Sequence, residues 1–265
     1  MMRRIHLPVA FALMFIAGIL FAQNGSDDVR LFQSFFRDAT ITSVPYGEGG
    51  LVYNGYDGGS VLSLGAQGGY PLMPELELNA ALSFMSYSPD GGDGTSGISD
   101  LLVSGRYNVI PDNTKISVGA FVTLPIGSDK LYGQSSMNFG AFGATRHPLD
   151  NGMVITGTLG LDFYEVKKFT VGDYKIVNVE VVYDTKEETD YETSLVLAGG
   201  LIYPHSEQLN FVGEAVLRTE GDYFLISGGA DYKLQSGGRV RGALGIGLDD
   251  GAPDFSLLAS YLMPF

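Results

Sequence analysis

The chain has 265 residues, 37 of them Gly, 16 Phe and 15 Tyr, and its formal net charge is −14. So acidic a balance excludes a nucleic-acid binder, which needs a basic footprint. The absence of Cys excludes disulfides, thiolate metal sites, a Cys nucleophile and a lipidated N-terminal Cys.

Arg3 and Arg4 precede a nearly unbroken apolar run from Leu7 to Ala22, and Gln23 to Asp28 turn abruptly polar. Basic end, apolar stretch and small residue at the cut are the order of a secretory signal peptide. The run of 16 residues falls short of the roughly 20 that a membrane-spanning helix needs. The expectation is a signal peptide over 1–22, cleaved after Ala22. Its removal takes away two Arg and no acid, leaving a net charge of −16. Later apolar runs are interrupted by Gly, Ser or charge too often for a second span. An exported, apolar chain of this kind is either a soluble β protein or a barrel whose lipid-facing surface is spread over alternating strands.

Period-two alternation then recurs to the C-terminus. In 75–87, Glu75, Glu77, Asn79 and Ser83 alternate with Leu76, Leu78, Ala80, Leu82 and Phe84. In 98–109, Asp100, Ser104, Arg106 and Asn108 alternate with Leu101, Val103, Tyr107 and Val109. Segments 115–124 and 239–248 behave alike, and none repeats near the 3.6 of a helix. Five short separators, near 71–74, 111–113, 148–152, 204–207 and 235–238, are dense in turn formers. They alternate strictly with a second set, often longer and mostly acidic or Gly-rich, near 47–58, 88–97, 126–135, 166–190, 219–222 and 248–253.

Short turns alternating with longer loops are the pattern of an outer-membrane barrel. Five hairpins give ten strands over 59–248. One strand follows over 253–265, and one precedes, within 37–52. The predicted fold is therefore all-β: a closed antiparallel transmembrane β-barrel of about 12 strands over 37–265. An N-terminal periplasmic segment, 23–36, leads into it. The β-prone stretch inside 166–190 either extends its neighbours or adds a hairpin and makes fourteen.

Three features favour a membrane barrel over a sandwich. Outward aromatics gather near both strand ends: Tyr70, Tyr107, Tyr203, Tyr232 and Tyr261 on the turn side, Phe84, Phe163, Tyr191 and Phe255 on the loop side, as two lipid interfaces favour. The second face carries Arg146, Asp162 and Glu214, too polar for the shared core that a sandwich requires. Finally, Phe265 ends the chain with Tyr261 four residues before it, similar to the assembly signal of bacterial outer-membrane proteins. Pro264 departs from the usual polar penultimate residue, at little cost on a strand's last position.

Residues 97–165 carry a more specific likeness, covering about a quarter of the chain. Gly97-Ile-Ser-Asp100, ending in Arg106-Tyr107, is followed by a Pro/Asp turn and then by Ile116 to Leu124-Pro125-Ile126-Gly127. This resembles the outer-membrane family associated with the MetA pathway of phenol degradation, with Arg106 where Lys is common and Ile126 where Thr is common. The resemblance implies a barrel and transport of small hydrophobic compounds, and fixes no substrate.

No catalytic constellation emerges. Beyond the leader the two histidines, His147 and His205, both fall at short turns, whereas barrel hydrolases act at the outer rim and need a base there. Nothing calls for a metal or another cofactor, and the run Asp90-Gly-Gly-Asp-Gly-Thr is too short to supply the ligands of a calcium site. The inward charges are more informative. Arg106, Lys115, Arg146, Lys233, Arg239 and Arg241, with Glu75, Glu77 and Asp231, lie near the turn ends. Asp100, Asp162 and Glu192 lie toward the loops, and Glu214 lies mid-strand. Either they line a hydrated bore, with a mixed basic ring below an acidic mouth, or they pair with one another inside a plugged barrel.

The leading functional expectation is a channel or transporter for small solutes in the bacterial outer membrane. A non-conducting structural or surface-interaction barrel is the alternative, and a hydrolase the third. Expected partners are outer-membrane lipid, the barrel-assembly machinery and an unidentified small solute. Asp90, Asp93, Lys130 and Asp184 should face the cell exterior, and Asp112 and Asp150 the periplasm.

Overall fold

The computed structural model describes residues 28–131, 133–177 and 180–265. The expected signal peptide, 1–22, lies outside the described residues. The strand segments are β1 (Tyr46–Tyr56), β2 (Gly59–Met73), β3 (Leu76–Pro89), β4 (Thr95–Ile98), β5 (Leu101–Ile110), β6 (Lys115–Leu124) and β7 (Phe139–Pro148). They continue as β8 (Val154–Val177), β9 (Glu180–Pro204), β10 (Leu209–Arg218), β11 (Tyr223–Lys233), β12 (Arg239–Gly247) and β13 (Phe255–Pro264).

Successive strands pair antiparallel, with β4 and β5 both against β3, and β1 pairs with both β2 and β13, which closes the ring. The segments β4 and β5 occupy one position in the wall. Against β3, β4 pairs with Phe84–Tyr87 and β5 with Leu76–Ala81. The barrel therefore has twelve strands, one of them broken at Ser99–Asp100. Both ends of the wall, Tyr46 and Pro264, meet at the turn end, where they pair with each other.

The alternation read from the sequence becomes two faces. Outward residues are large and apolar: Leu64 and Leu244 are each 62% exposed, and Phe84 50%. Inward neighbours such as Glu77, Ser104, Ser117 and Ser227 are buried. A closed sheet that turns its apolar face outward is stable only in lipid. The loop-end aromatics form contacts on that face: Phe139 stacks on Phe163 at 5.0 Å, and Tyr53 meets Phe255 at 5.5 Å.

Two local expectations are corrected. The first strand, expected within 37–52, is shifted later, and 47–58 is strand and tight turn instead of an outer loop. The strand runs Tyr46–Tyr56 and turns into β2 through Asp57-Gly58, with Gly58 at φ +102°. Pro45 precedes the ladder, where its missing N–H costs nothing, and its carbonyl accepts the Phe265 N–H at 2.8 Å. Glycine serves close approach here instead of breaking the strand: a Cβ on Gly50 would lie 2.7 Å from the Ser260 Cβ on β13. In 166–190 the β8–β9 ladder simply continues, from Val154↔Ile202 to Val177↔Glu180 with a shift between Val171 and Tyr174. The stretch lengthens two existing strands, so the count stays at twelve.

Residues 28–45 do not trail into the periplasm. They enter the barrel from its turn end, rise to a short 3-10 turn at Phe35–Arg37, and return to Tyr46. This corrects the expectation of a periplasmic segment over 23–36 for the residues described. The cause is composition. Val29, Leu31, Phe32 and Phe35 are at most 7% exposed, and so apolar a segment is poorly suited to water.

Candidate functional site

The lumen segment touches side chains from strands all around the ring, as only an internal segment can. Asp28 lies 3.9 Å from Lys233 at the turn end of β11. The carbonyls of Arg30 and Leu31 accept from Arg241 at 2.8 and 2.9 Å. Deeper, the Glu214 carboxylate accepts the backbone N–H groups of Phe32 (2.9 Å), Gln33 (2.9 Å) and Ser34 (2.6 Å). At the apex Arg37 forms a two-pronged pair with Asp162 at 3.0 and 2.8 Å, its guanidinium 4.7 Å from the Phe121 ring. On the way back Asp38 pairs with Arg146 at 2.5 Å, and the Thr42 N–H and hydroxyl donate to Glu77.

The apolar side chains of the segment pack as a core within the bore. Val29, Leu31 and Phe32 cluster with inward Val154, Ile202, Val212 and Ala243. Ala39 packs with Phe142 and Ala144. Two inward glycines make the room. A Cβ on Gly200 would stand 2.8 Å from Leu31 Cδ2, and one on Gly229 would stand 2.7 Å from the Phe32 ring.

Among the sequence-derived candidates, Glu77, Arg106, Arg146, Asp162, Asp231, Arg239, Arg241 and Glu214 all point inward and are buried. They are not a water-lined ring. Glu77 binds both Arg106 and Arg30, and Asp231 binds Arg239 at 2.6 Å and Arg241 at 3.2 Å. The structure thus favours the plugged alternative. Much of the pairing comes from the lumen segment, not from neighbouring strands alone. An isolated charge in so dry a place costs several kcal/mol, so each demands its partner. Burial opposes the charge on Arg30, yet Tyr46, Glu77 and Asp38 around it hold its pKa above the usual guanidinium value.

Lys115 stands directly across the β6–β7 ladder from Arg146. Lys233 is 44% exposed, Glu75 half-buried in the turn before β3, and Glu192 exposed. The acidic mouth is modified too. The Asp100 carboxylate accepts N–H groups from Gly127 (2.8 Å), Ser135 (3.0 Å) and Ser136 (3.0 Å), and so fastens the 125–138 loop to the break in the wall. Tyr261 and Phe265 are exposed on the outer face, Phe265 by 71%.

Sequence reasoning passed over Arg30, Arg37, Asp38 and Glu48. Glu48 pairs with Arg241 at 2.5 Å and accepts from Gln67 at 2.7 Å. Their signal was present but local. Val29, Leu31, Phe32, Phe35 and Phe36 lie between charges, a composition unlike a solvated tether.

Residues 42–263 match the family described as "Putative MetA-pathway of phenol degradation". A search of curated protein sequences finds no match. Among solved structures, the chain is similar to the COG4313 outer membrane channel from Pseudomonas putida F1, at 14% identity and a TM-score of 0.61. That match covers 90% of this chain and 100% of the other. It also resembles the KdgM porin in complex with disordered oligogalacturonate (10% identity, TM-score 0.51, 82% and 99% covered) and the NanC porin (8%, 0.51, 83% and 98%). The fold is that of bacterial outer-membrane channels. With nearly all of the barrel wall inside the matched region, the chain belongs to the family of the MetA pathway of phenol degradation.

Proposed function

We propose that this protein is a bacterial outer-membrane channel for small solutes, closed in the structure by its own N-terminal segment. One observation carries the reading. The bore is built polar and glycine-lined, and what fills its turn-side half is a chain segment held by ion pairs and hydrogen bonds, outside the strand ladder. Such a filling is removable without unzipping the wall. Similarity to channels and porins supports the same reading, and the family's description suggests hydrophobic solutes. The signal peptide and the Tyr261–Phe265 terminus fit export and insertion by the barrel-assembly machinery. Neither His147 nor His205 leaves the turn end: His147 Nδ1 lies 2.7 Å from the Thr114 hydroxyl, and His205 packs on Phe211. This arrangement supports a channel over a hydrolase.

The deep burial of the segment favours a second reading, a non-conducting barrel. Planar-bilayer recordings separate them. A channel shows discrete openings, with a reversal potential that moves in a salt gradient. A barrel silent at every voltage, even with its lumen segment loosened, is structural.

A further inference from the structure

Above the lumen segment, at the loop end of the bore, one arginine behaves unlike the rest. Arg30, Arg37, Arg106, Arg146, Arg239 and Arg241 each reach a carboxylate. Among the described residues Arg218, the last residue of β10, reaches none, and its Nε is buried without a hydrogen-bond partner. Its parity places it on the same face as Asn210, Val212, Glu214 and Val216, which is the lumen face. The guanidinium lies 4.7 Å from the ring of Tyr223, its register partner on β11. By strand parity Tyr164 on β8 shares the lumen face with Thr158 and Asp162, and Tyr56, 36% exposed at the loop end of β1, shares it with Tyr46 and Glu48.

An unpaired, partly desolvated guanidinium is costly unless an anion meets it. Its fork geometry matches a carboxylate in two parallel hydrogen bonds, and lying over Tyr223 leaves its Nη donors, which are not buried, for the anion. Tyrosine rings beside it offer faces and edges to a planar aromatic group. We infer that Arg218, with Tyr56, Tyr164 and Tyr223, forms a vestibule site for a small aromatic carboxylate, with Arg218 holding the anion and the tyrosines the ring. The Tyr164 hydroxyl donates to Asp162 at 3.2 Å, and Asp162 in turn holds Arg37 at the apex of the lumen segment. The site thus sits on the network that anchors the closure. The inference deepens the channel reading and rests on it for its meaning, but it is tested by equilibrium binding without flux. Failure of binding leaves conductance unaffected, and a silent barrel can still bind.

The test is calorimetric titration of the full chain, folded in detergent, with benzoate, cyclohexanecarboxylate and phenol. Benzoate should bind more tightly than either of the others. Arg218→Gln should weaken benzoate about tenfold or more, the loss expected for charge-assisted hydrogen bonds, and leave phenol unchanged. Tyr223→Leu should erase the preference for benzoate over cyclohexanecarboxylate while the carboxylate still binds. Absence of benzoate binding, equal affinity for all three probes, or unaltered benzoate affinity in Arg218→Gln overturns the site. The gel-mobility change on heating shows whether each variant is folded. If Arg218→Gln is not, Tyr223→Leu decides, and an undiminished aromatic preference there overturns the site.

Discussion

Arg146 on β7 and Asp38 in the lumen segment, 108 residues apart in sequence, meet at 2.5 Å with both side chains at most 2% exposed. Breaking a pair of this kind by altering one partner costs about 3–5 kcal/mol, because the other charge stays buried and alone. Arg146→Glu should therefore loosen the segment from the bore, and Asp38→Arg in the same chain should restore it. Trypsin followed by mass spectrometry reads this: cleavage after Arg30 and Arg37 should appear in the single variant and fade in the double one. Equal protection of those bonds in all three proteins would show that the pair does not hold the segment.

The wall was legible and the filling was not, for a physical reason. Leu76 to Phe84 or Val240 to Leu248 must alternate because one face meets lipid and the other the lumen, so period two is written into each strand. The lumen segment obeys no period. Val29, Leu31 and Phe32 are apolar because they meet Val154, Ile202 and Val212, contacts set by a closed barrel that no local window contains. Glu214 could not be told from a solvated lumen carboxylate, since its partners are main-chain N–H groups, which every residue but proline carries. Gly200 and Gly229 leave room on the lumen face, and the room is taken by Leu31 and Phe32. The inward face of the strands was readable. The occupant was not, because its partners are spread over most of the strands of the ring.

Glu214 gives a second handle. Its carboxylate is the acceptor for three consecutive N–H groups, and each bond to a charged acceptor contributes about 1.5–3 kcal/mol. Glu214→Leu removes all three and should release the 32–34 stretch. Amide hydrogen exchange at Phe32, Gln33 and Ser34 should accelerate by orders of magnitude while strand amides such as Val212 stay protected. Protection retained at 32–34 would mean that packing alone holds the segment.

The close approach at Gly200 makes a steric test. Gly200→Leu puts a side chain where Leu31 lies and should cost about 1–3 kcal/mol through overpacking. A Cβ at this position also meets Thr156 Oγ1 at 2.6 Å, so Leu31→Ala added to it should recover part of the loss. Thermal unfolding midpoints of the two single variants and the double variant check this, and plain additivity would place Leu31 elsewhere than against β9.

Orientation follows from the ends of the wall. Cys introduced at Asp93 or Lys130, in a chain without any native Cys, should be labelled on intact cells by an impermeant maleimide. Cys at Asp112, Asp150 or Asp28 should be labelled after the outer membrane is opened. Labelling of intact cells at Asp112 with none at Asp93 inverts the barrel.

The central claim is that a conducting bore lies behind the lumen segment, and single-channel recording tests it most directly. The native chain should show a mostly closed baseline with rare openings in planar bilayers. The Arg146→Glu and Glu214→Leu variants should show sustained conductance of one common unit size, returning toward the closed baseline when Asp38→Arg accompanies Arg146→Glu. Variants as silent as the native chain, with proteolysis showing the segment released, would contradict the claim and leave a barrel that does not conduct.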